Sequence, residues 1–361
     1  MRRRGVCYDV GRVLMGQNWR PMLDGHEVRR ELEIIRNDLH CNAVRICGQD
    51  LGRLVAAGEE ALEQGLEVWI SPELWDHSPT DTLDYVAEAA KRAEELRRHW
   101  PGKVVFSVGS ELTLFMRGIV EGDNFLERLQ SPSFPERVRS GAHNAPLDAF
   151  LAKANDAVRQ VFKGDVTYAS VPLETVDWSR FDVVGVDLYR DARIRDRFTH
   201  LLRRFFTHGR PVVITEFGCC TWRGAADAGG MGWAIVDLND AALGERPPRL
   251  NGQYLRDEAE QAEEVTELLT IFDAAGVDGT FVFTFVAPTS PYSDDSSYDL
   301  DMASYSLVRS YGNRLGDLAT AFPDTPWDPD RSGTTYPDMP WEPKRSFQAV
   351  ADFYAGRVRP A

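Results

Sequence analysis

Eight short runs rich in β-branched residues punctuate this chain, at 6–10, 42–46, 66–71, 104–112, 166–170, 181–188, 211–218 and 278–286. Between most of them lie stretches with apolar residues at helical spacing, at 27–39, 51–64, 81–99, 147–162, 194–207 and 257–275, and another closes the chain at 346–354. Near-continuous apolar strands alternating with helices build a parallel sheet buried on both faces. Eight such strands predict a closed (β/α)8 TIM barrel, because no glycine-rich phosphate-binding turn follows the first strand to favour an open doubly wound sheet. A length of 361 residues fits one such barrel as a single domain over 1–361.

The segments 112–146, 219–256 and 287–345 exceed the usual connection length, and each follows a strand: the fourth, seventh and eighth. In a barrel these βα loops gather over one face and shape a pocket there. The last contains an amphipathic stretch, 304–321, that reads as a helix.

A formal charge of −15 opposes attraction to nucleic-acid phosphates or anionic lipid. No apolar run reaches membrane-spanning length, and Met1 to Arg4 opens on charge without a secretory apolar core. We therefore expect a cytoplasmic protein with neither nucleic acid nor membrane as partner. Oligomeric state is left open. The five cysteines, Cys7, Cys41, Cys47, Cys219 and Cys220, lack metal-site spacing and read as buried thiols. The histidines form no metal-binding pair, so neither metal nor cofactor is expected.

Two glutamates carry the chemistry. Glu111 closes the run VVFSVGSEL and Glu216 lies near the end of PVVITEFG, so both fall at the carboxyl ends of strands four and seven, where parallel barrels hold their reactive groups. Retaining glycoside cleavage needs a carboxyl group that gives and then takes a proton, and a second that attacks the anomeric carbon. Side chains from opposite strands of one barrel mouth can converge on a sugar in this way. From spacing alone, rim ion pairs or helix capping would account for the two residues equally well. Asp9, Glu73 and Asp187 also follow strands and are expected to line the pocket with hydroxyl-binding groups. Among the loop tryptophans Trp75, Trp178, Trp222 and Trp233, those nearest strand ends, Trp75 and Trp222, are the candidates for stacking on sugar. The acidic run Asp294, Asp295, Asp299 and Asp301 lacks the glycine and terminal glutamate of a calcium loop and reads as solvated.

In order and strand position, NAVRI at 42–46, VVFSVGSEL, VVGVDLY ending at Tyr189, VVITEFG and PKRSF at 343–347 resemble the clan A glycoside hydrolases, retaining (β/α)8 enzymes. Within that clan the VGSEL form is similar to the β-mannanase-like families. The resemblance implies Glu111 as acid/base, Glu216 as nucleophile, Arg45 as the cation that keeps the nucleophile ionised, and Tyr189 as its hydrogen-bond donor. It implies a carbohydrate substrate, a β-linked oligosaccharide or small glycoside. Two positions depart from the clan pattern: Ser110 stands where an asparagine usually contacts the sugar 2-hydroxyl, and Phe283 where a tryptophan is usual. These departures leave open a catalytically silent barrel that binds carbohydrate or a protein partner; transglycosylation by the same residues is a third reading.

Overall fold

The computed structural model describes residues 1–237, 246–328 and 330–357. Part of the long segment expected after strand seven, 238–245, lies outside the described residues. Eight parallel strands close into a barrel: β1 (Arg3–Asp9), β2 (Ala43–Gly48), β3 (Glu67–Pro72), β4 (Val104–Ser110), β5 (Asp165–Ser170), β6 (Val184–Asp187), β7 (Val212–Phe217) and β8 (Gly279–Val282). Each pairs with its sequence neighbours, and β8 returns to β1 with Arg3 opposite Gly279 and Val6 opposite Val282. The alternation seen in the sequence is thus the barrel's winding order.

Outside the sheet lie α1 (Gly25–Asn37), α2 (Leu51–Glu63), α3 (Pro79–His99), α4 (Asn144–Val161), α5 (Phe198–Arg203), α6 (Glu258–Ala275) and α7 (Arg345–Tyr354). Caps explain several of the starts. Asp24, Asp50, Ser78 and Asp257 each accept a backbone N–H of the first turn, and Pro79 occupies the position where a missing N–H costs nothing. The helix expected over 194–207 is α-helical only at Phe198–Arg203, with 3-10 turns on either side. The stretch 304–321 is a correction: Val308–Ser310 forms a strand antiparallel to Trp341–Pro343, and only Asp317–Ala321 is α-helical.

Two apolar layers result. One fills the gap between sheet and helices; the other fills the lumen with Cys7, Ala43, Trp69, Val105, Val183, Val213 and Phe281. Gly5 makes room for that plug, since a Cβ there would lie 2.4 Å from the Phe281 ring. The chemistry is therefore confined to the mouth above a packed floor. Register shifts fall between Ser107 and Ser110 on β4, Val186 and Asp187 on β6, and Thr280 and Val282 on β8, so the ladder is irregular where side chains turn toward the mouth.

Candidate active site

The mouth is built from strand ends and the turns that follow them. Asp9, the last residue of β1, accepts the backbone N–H groups of Gly11 at 2.7 Å and Arg12 at 3.0 Å. That tight turn sends the Arg12 side chain back over the barrel, where it is only 3% exposed. Its Nε lies 2.9 Å from Glu73 Oε2 and 3.5 Å from Asp9 Oδ2, and its Nη2 donates to Glu216 Oε1 at 3.1 Å. The guanidinium sits 5.9, 5.6 and 5.1 Å from the ring centroids of Trp19, Trp75 and Phe283.

Arg45 supplies a second guanidinium from below. It lies three residues before the end of β2 rather than at its end, and is 1% exposed. Its Nη1 donates to the same Oε1 of Glu216, while its Nη2 reaches Ser71 Oγ at 3.0 Å and Glu73 Oε1 at 3.3 Å. Glu216, on β7 and 7% exposed, thus has one carboxylate oxygen held by two cations. The other oxygen, Oε2, accepts from the Tyr189 hydroxyl at 3.3 Å.

Asp187 pairs with Glu216 across β6 and β7. Its two oxygens accept from Ser110 Oγ at 3.0 Å and Thr215 Oγ1 at 2.6 Å. Ser110 therefore ties β4 to β6 beside the glutamates. Glu111 follows Ser110 with left-handed backbone angles, φ 47° and ψ 42°, which a non-glycine residue adopts at a cost of about 1–2 kcal/mol. Its neighbours fix that conformation. The N–H of Glu111 donates to the Ala169 carbonyl, that of Leu112 to Tyr168 Oη at 2.8 Å, and that of Thr113 to Glu174 Oε1 at 3.0 Å. Tyr168 in turn donates to Glu174 at 2.9 Å, so a buried Tyr–Glu pair clamps the turn.

The two glutamates are perturbed in opposite directions. Burial, reinforced by the charges of Asp187, Glu216 and Glu174, pushes the Glu111 carboxyl well above its ordinary value, with Arg45 opposing. Burial would push Glu216 up as well, but Arg12 and Arg45 outweigh it and hold that carboxyl below the ordinary value. Asp187 is raised to about 7 by burial and then by the charge of Glu216. Burial also raises Asp9 and Glu73, against the pull of Arg12. A carboxyl group raised above its ordinary value and another lowered below it is the pairing that an acid and a nucleophile require.

Cys47, Glu73 and Glu216 bring ligand-type atoms within 4.8 Å of one another. Both carboxylates of that group are bound by Arg12 and Arg45, so guanidinium charge already stands beside them. The five cysteines are buried free thiols.

The aromatic candidates separate by position. Trp75 is buried, its ring stacked at 4.2 Å on Phe115 and met edge-on by Trp19. Trp222 donates its indole N–H to the Gly232 carbonyl and packs against Tyr254. Phe283 and Tyr189 both lean on Tyr305. Trp178 packs on Phe181 and His208, which precede β6 and β7, and so lies at the opposite end of the barrel. Trp233 meets Phe125 at 6.0 Å. In the acidic run, Asp299 and Asp301 are not solvated: both are buried and paired with Arg256, and Lys344 Nζ lies 3.0 Å from Asp301.

Sequence reasoning missed Arg12 and the Tyr168–Glu174 clamp. The signal for Arg12 was present: an aspartate at a strand end followed three residues later by arginine, a turn that folds a cation back over the strand.

No protein-family model matches the sequence, and no curated protein does. Solved structures share the fold. A GH113 β-mannanase from Alicyclobacillus acidocaldarius superposes with a TM-score of 0.56 at 16% identity, over 99% of this chain and 98% of that one. A second GH113 β-1,4-mannanase gives 0.53 at 14% identity, over 90% and 99%. A β-glucuronidase from Parabacteroides merdae gives 0.54 at 12% identity, over 98% of this chain and 37% of the other.

Proposed function

We propose that this protein is a retaining glycoside hydrolase acting on a β-linked sugar, with Glu111 as acid/base and Glu216 as nucleophile. The observation that carries the reading is the placement of two carboxyl groups at the ends of β4 and β7, Glu216 with one oxygen bound by two arginines that draw it below its ordinary value, and Glu111 raised above its own by burial and the charges of Asp187 and Glu216. The shared fold with β-mannanases and β-glucuronidases supports it.

In this mechanism protonated Glu111 gives its proton to the glycosidic oxygen as Glu216 attacks the anomeric carbon. Because Arg12 and Arg45 both bind Oε1, the attacking atom is Oε2, which Tyr189 orients. A glycosyl ester forms and the leaving sugar departs. Glu111, now ionised, takes a proton from water, whose oxygen displaces Glu216 and restores both groups. Ser110, tied to Asp187, stands next to the acid and can offer its oxygen to a sugar hydroxyl. The Glu216→Ala variant should lose turnover, and azide should restore a product of inverted configuration; a variant as active as the parent would refute the assignment. One observation favours the silent-barrel reading: the Arg12 guanidinium lies over Phe283, a ring on which sugar would otherwise rest. Covalent trapping of Glu216 by a 2-deoxy-2-fluoro glycosyl fluoride, read by mass spectrometry, separates the two readings.

A further inference from the structure

The charges at the barrel mouth do not cancel. Arg12 and Arg45 are spent on Asp9, Glu73 and Glu216. Among the described residues no lysine, arginine or histidine nitrogen lies within 4.0 Å of an oxygen of Asp187 or Glu111. Glu111 needs none, because in the reading above it carries the proton that the reaction uses. Asp187 is different: it is 1% exposed, its oxygens are met only by hydroxyl groups, and no step of that reaction involves it. A buried carboxylate without a counter-ion is costly, so the position suits a cation that arrives from outside the chain.

Its place says which atom of a substrate would bring that charge. Asp187 ends β6, and side chains alternate along a strand, so it stands on the lumen face with Val183 of the apolar plug. It pairs across the sheet with Glu216, and the Ser110 hydroxyl that donates to its Oδ2 at 3.0 Å belongs to the residue before Glu111. Both glutamates address the anomeric carbon. A group tied between them therefore lies beside the ring carbon bonded to that atom. The Ser110 oxygen gives its own proton to Asp187 and keeps lone pairs to accept another. An ammonium N–H fits there, with a carboxylate directly behind the oxygen that receives it.

Resting on the hydrolase reading above, we propose that the sugar cleaved is an amino sugar, a 2-amino-2-deoxy-β-glycoside whose protonated amine is held by Ser110 with Asp187 as its counter-ion. The chemistry asks for such an anion. Positive charge builds on the anomeric carbon in the transition state, and an ammonium on the adjacent carbon opposes it. A carboxylate fixed beside that ammonium offsets the repulsion at no cost of reorganisation. The amine stays protonated throughout and neither makes nor breaks a covalent bond. Asp187 and Ser110 are thus specificity-determining residues.

The test compares kcat/KM at pH 6 on 4-nitrophenyl β-glycosides of gluco and manno configuration that carry at carbon 2 an amine, a hydroxyl or an acetamide. A charge-assisted hydrogen bond in a buried site is worth about 10–100-fold, so the amine should be preferred over the hydroxyl by that factor in one of the two configurations, and the uncharged acetamide should show no such preference. In Asp187→Asn the amine-to-hydroxyl ratio should fall to one or below, because the ammonium then meets the transition state without its counter-ion. Ser110→Ala should lower the same ratio and decides the matter if Asp187→Asn fails to fold, as thermal denaturation would show. Wild-type enzyme that prefers the hydroxyl sugars, or a ratio that neither variant moves, would overturn the proposal. Turnover that is lost in Glu216→Ala reports on the hydrolase reading by itself: such turnover without preference for the amine sinks only the amino-sugar assignment, and absence of turnover on every glycoside sinks both.

Discussion

Replacing Arg12 by methionine keeps an unbranched stem among Trp19, Trp75 and Phe283 but removes a cation that faces three carboxylates, Asp9, Glu73 and Glu216. Taking away one partner of a buried ion pair costs about 3–5 kcal/mol, because the other charge is left without compensation. For 361 residues the entropy of unfolding is roughly 0.76 kcal/mol/K, so Tm should fall by about 4–7 °C. The pH dependence has a definite sign. Glu216 is held below its ordinary value in part by Arg12, and a lowered carboxyl contributes stability above its unfolded pKa that is lost as pH falls. Asp9 and Glu73 are already raised by burial, and without Arg12 they rise further, which favours the folded state only at low pH. Both effects make the variant's deficit larger at pH 8 than at pH 4.5. Calorimetry at the two pH values measures it. In the pH profile of kcat/KM, the acid limb should move upward, since Glu216 has lost one of its two cations. An equal Tm deficit at both pH values, with the acid limb unmoved, would refute the assignment of Arg12 to the nucleophile.

Glu111→Gln should remove the alkaline limb of the pH profile and slow substrates with poor leaving groups by about 10²–10⁴, while sparing activated aryl glycosides; steady-state kinetics on leaving groups of graded pKa checks it. Tyr168→Phe removes the hydroxyl that holds the Leu112 N–H and Glu174, so kcat should fall about tenfold with little change in KM, because the left-handed turn at Glu111 is held less firmly. Asp187→Asn acts on stability. A carboxyl raised to about 7 takes up a proton on folding between its ordinary value and pH 7, so wild-type stability declines as pH rises through that window. The variant should lose that decline and gain at pH 8, with a ceiling of about 4 kcal/mol set by ~1.4 kcal/mol per unit; urea unfolding at pH 5 and pH 8 measures the difference.

The barrel was legible because its signal is local: a β-branched run buried on both faces looks the same whatever it packs against. Strand ends were legible for the same reason, and Glu111 and Glu216 with them. Boundaries moved where a local device acts. Helix α3 begins at Pro79 because Ser78 caps it, and β8 ends at Val282, well before the apolar run does, because the chain leaves the ladder there. The acidic run after β8 was misread for a nonlocal reason. Asp299 is buried against Arg256, 43 positions earlier, and Asp301 against Lys344, so nothing in the run itself announces its partners.

Arg12 shows how the two kinds of information meet. Its turn is local, fixed by an aspartate that accepts two successive backbone N–H groups, but its purpose is nonlocal. Glu73 and Glu216 come from strands on different sides of the mouth, and each is buried enough that burial alone would push it toward the neutral form. A single guanidinium from β2 faces both. The second, from the loop after β1, also reaches both, but only at Glu216 do the two guanidinium groups meet one oxygen, and that carboxyl is lowered while Glu73 stays raised; Glu111 is raised by burial and by Asp187 and Glu216, with Arg45 opposing. On the hydrolase proposal, the roles of these two chemically identical side chains follow from the charges that each strand end meets, and moving the arginine charge should move the chemistry with it.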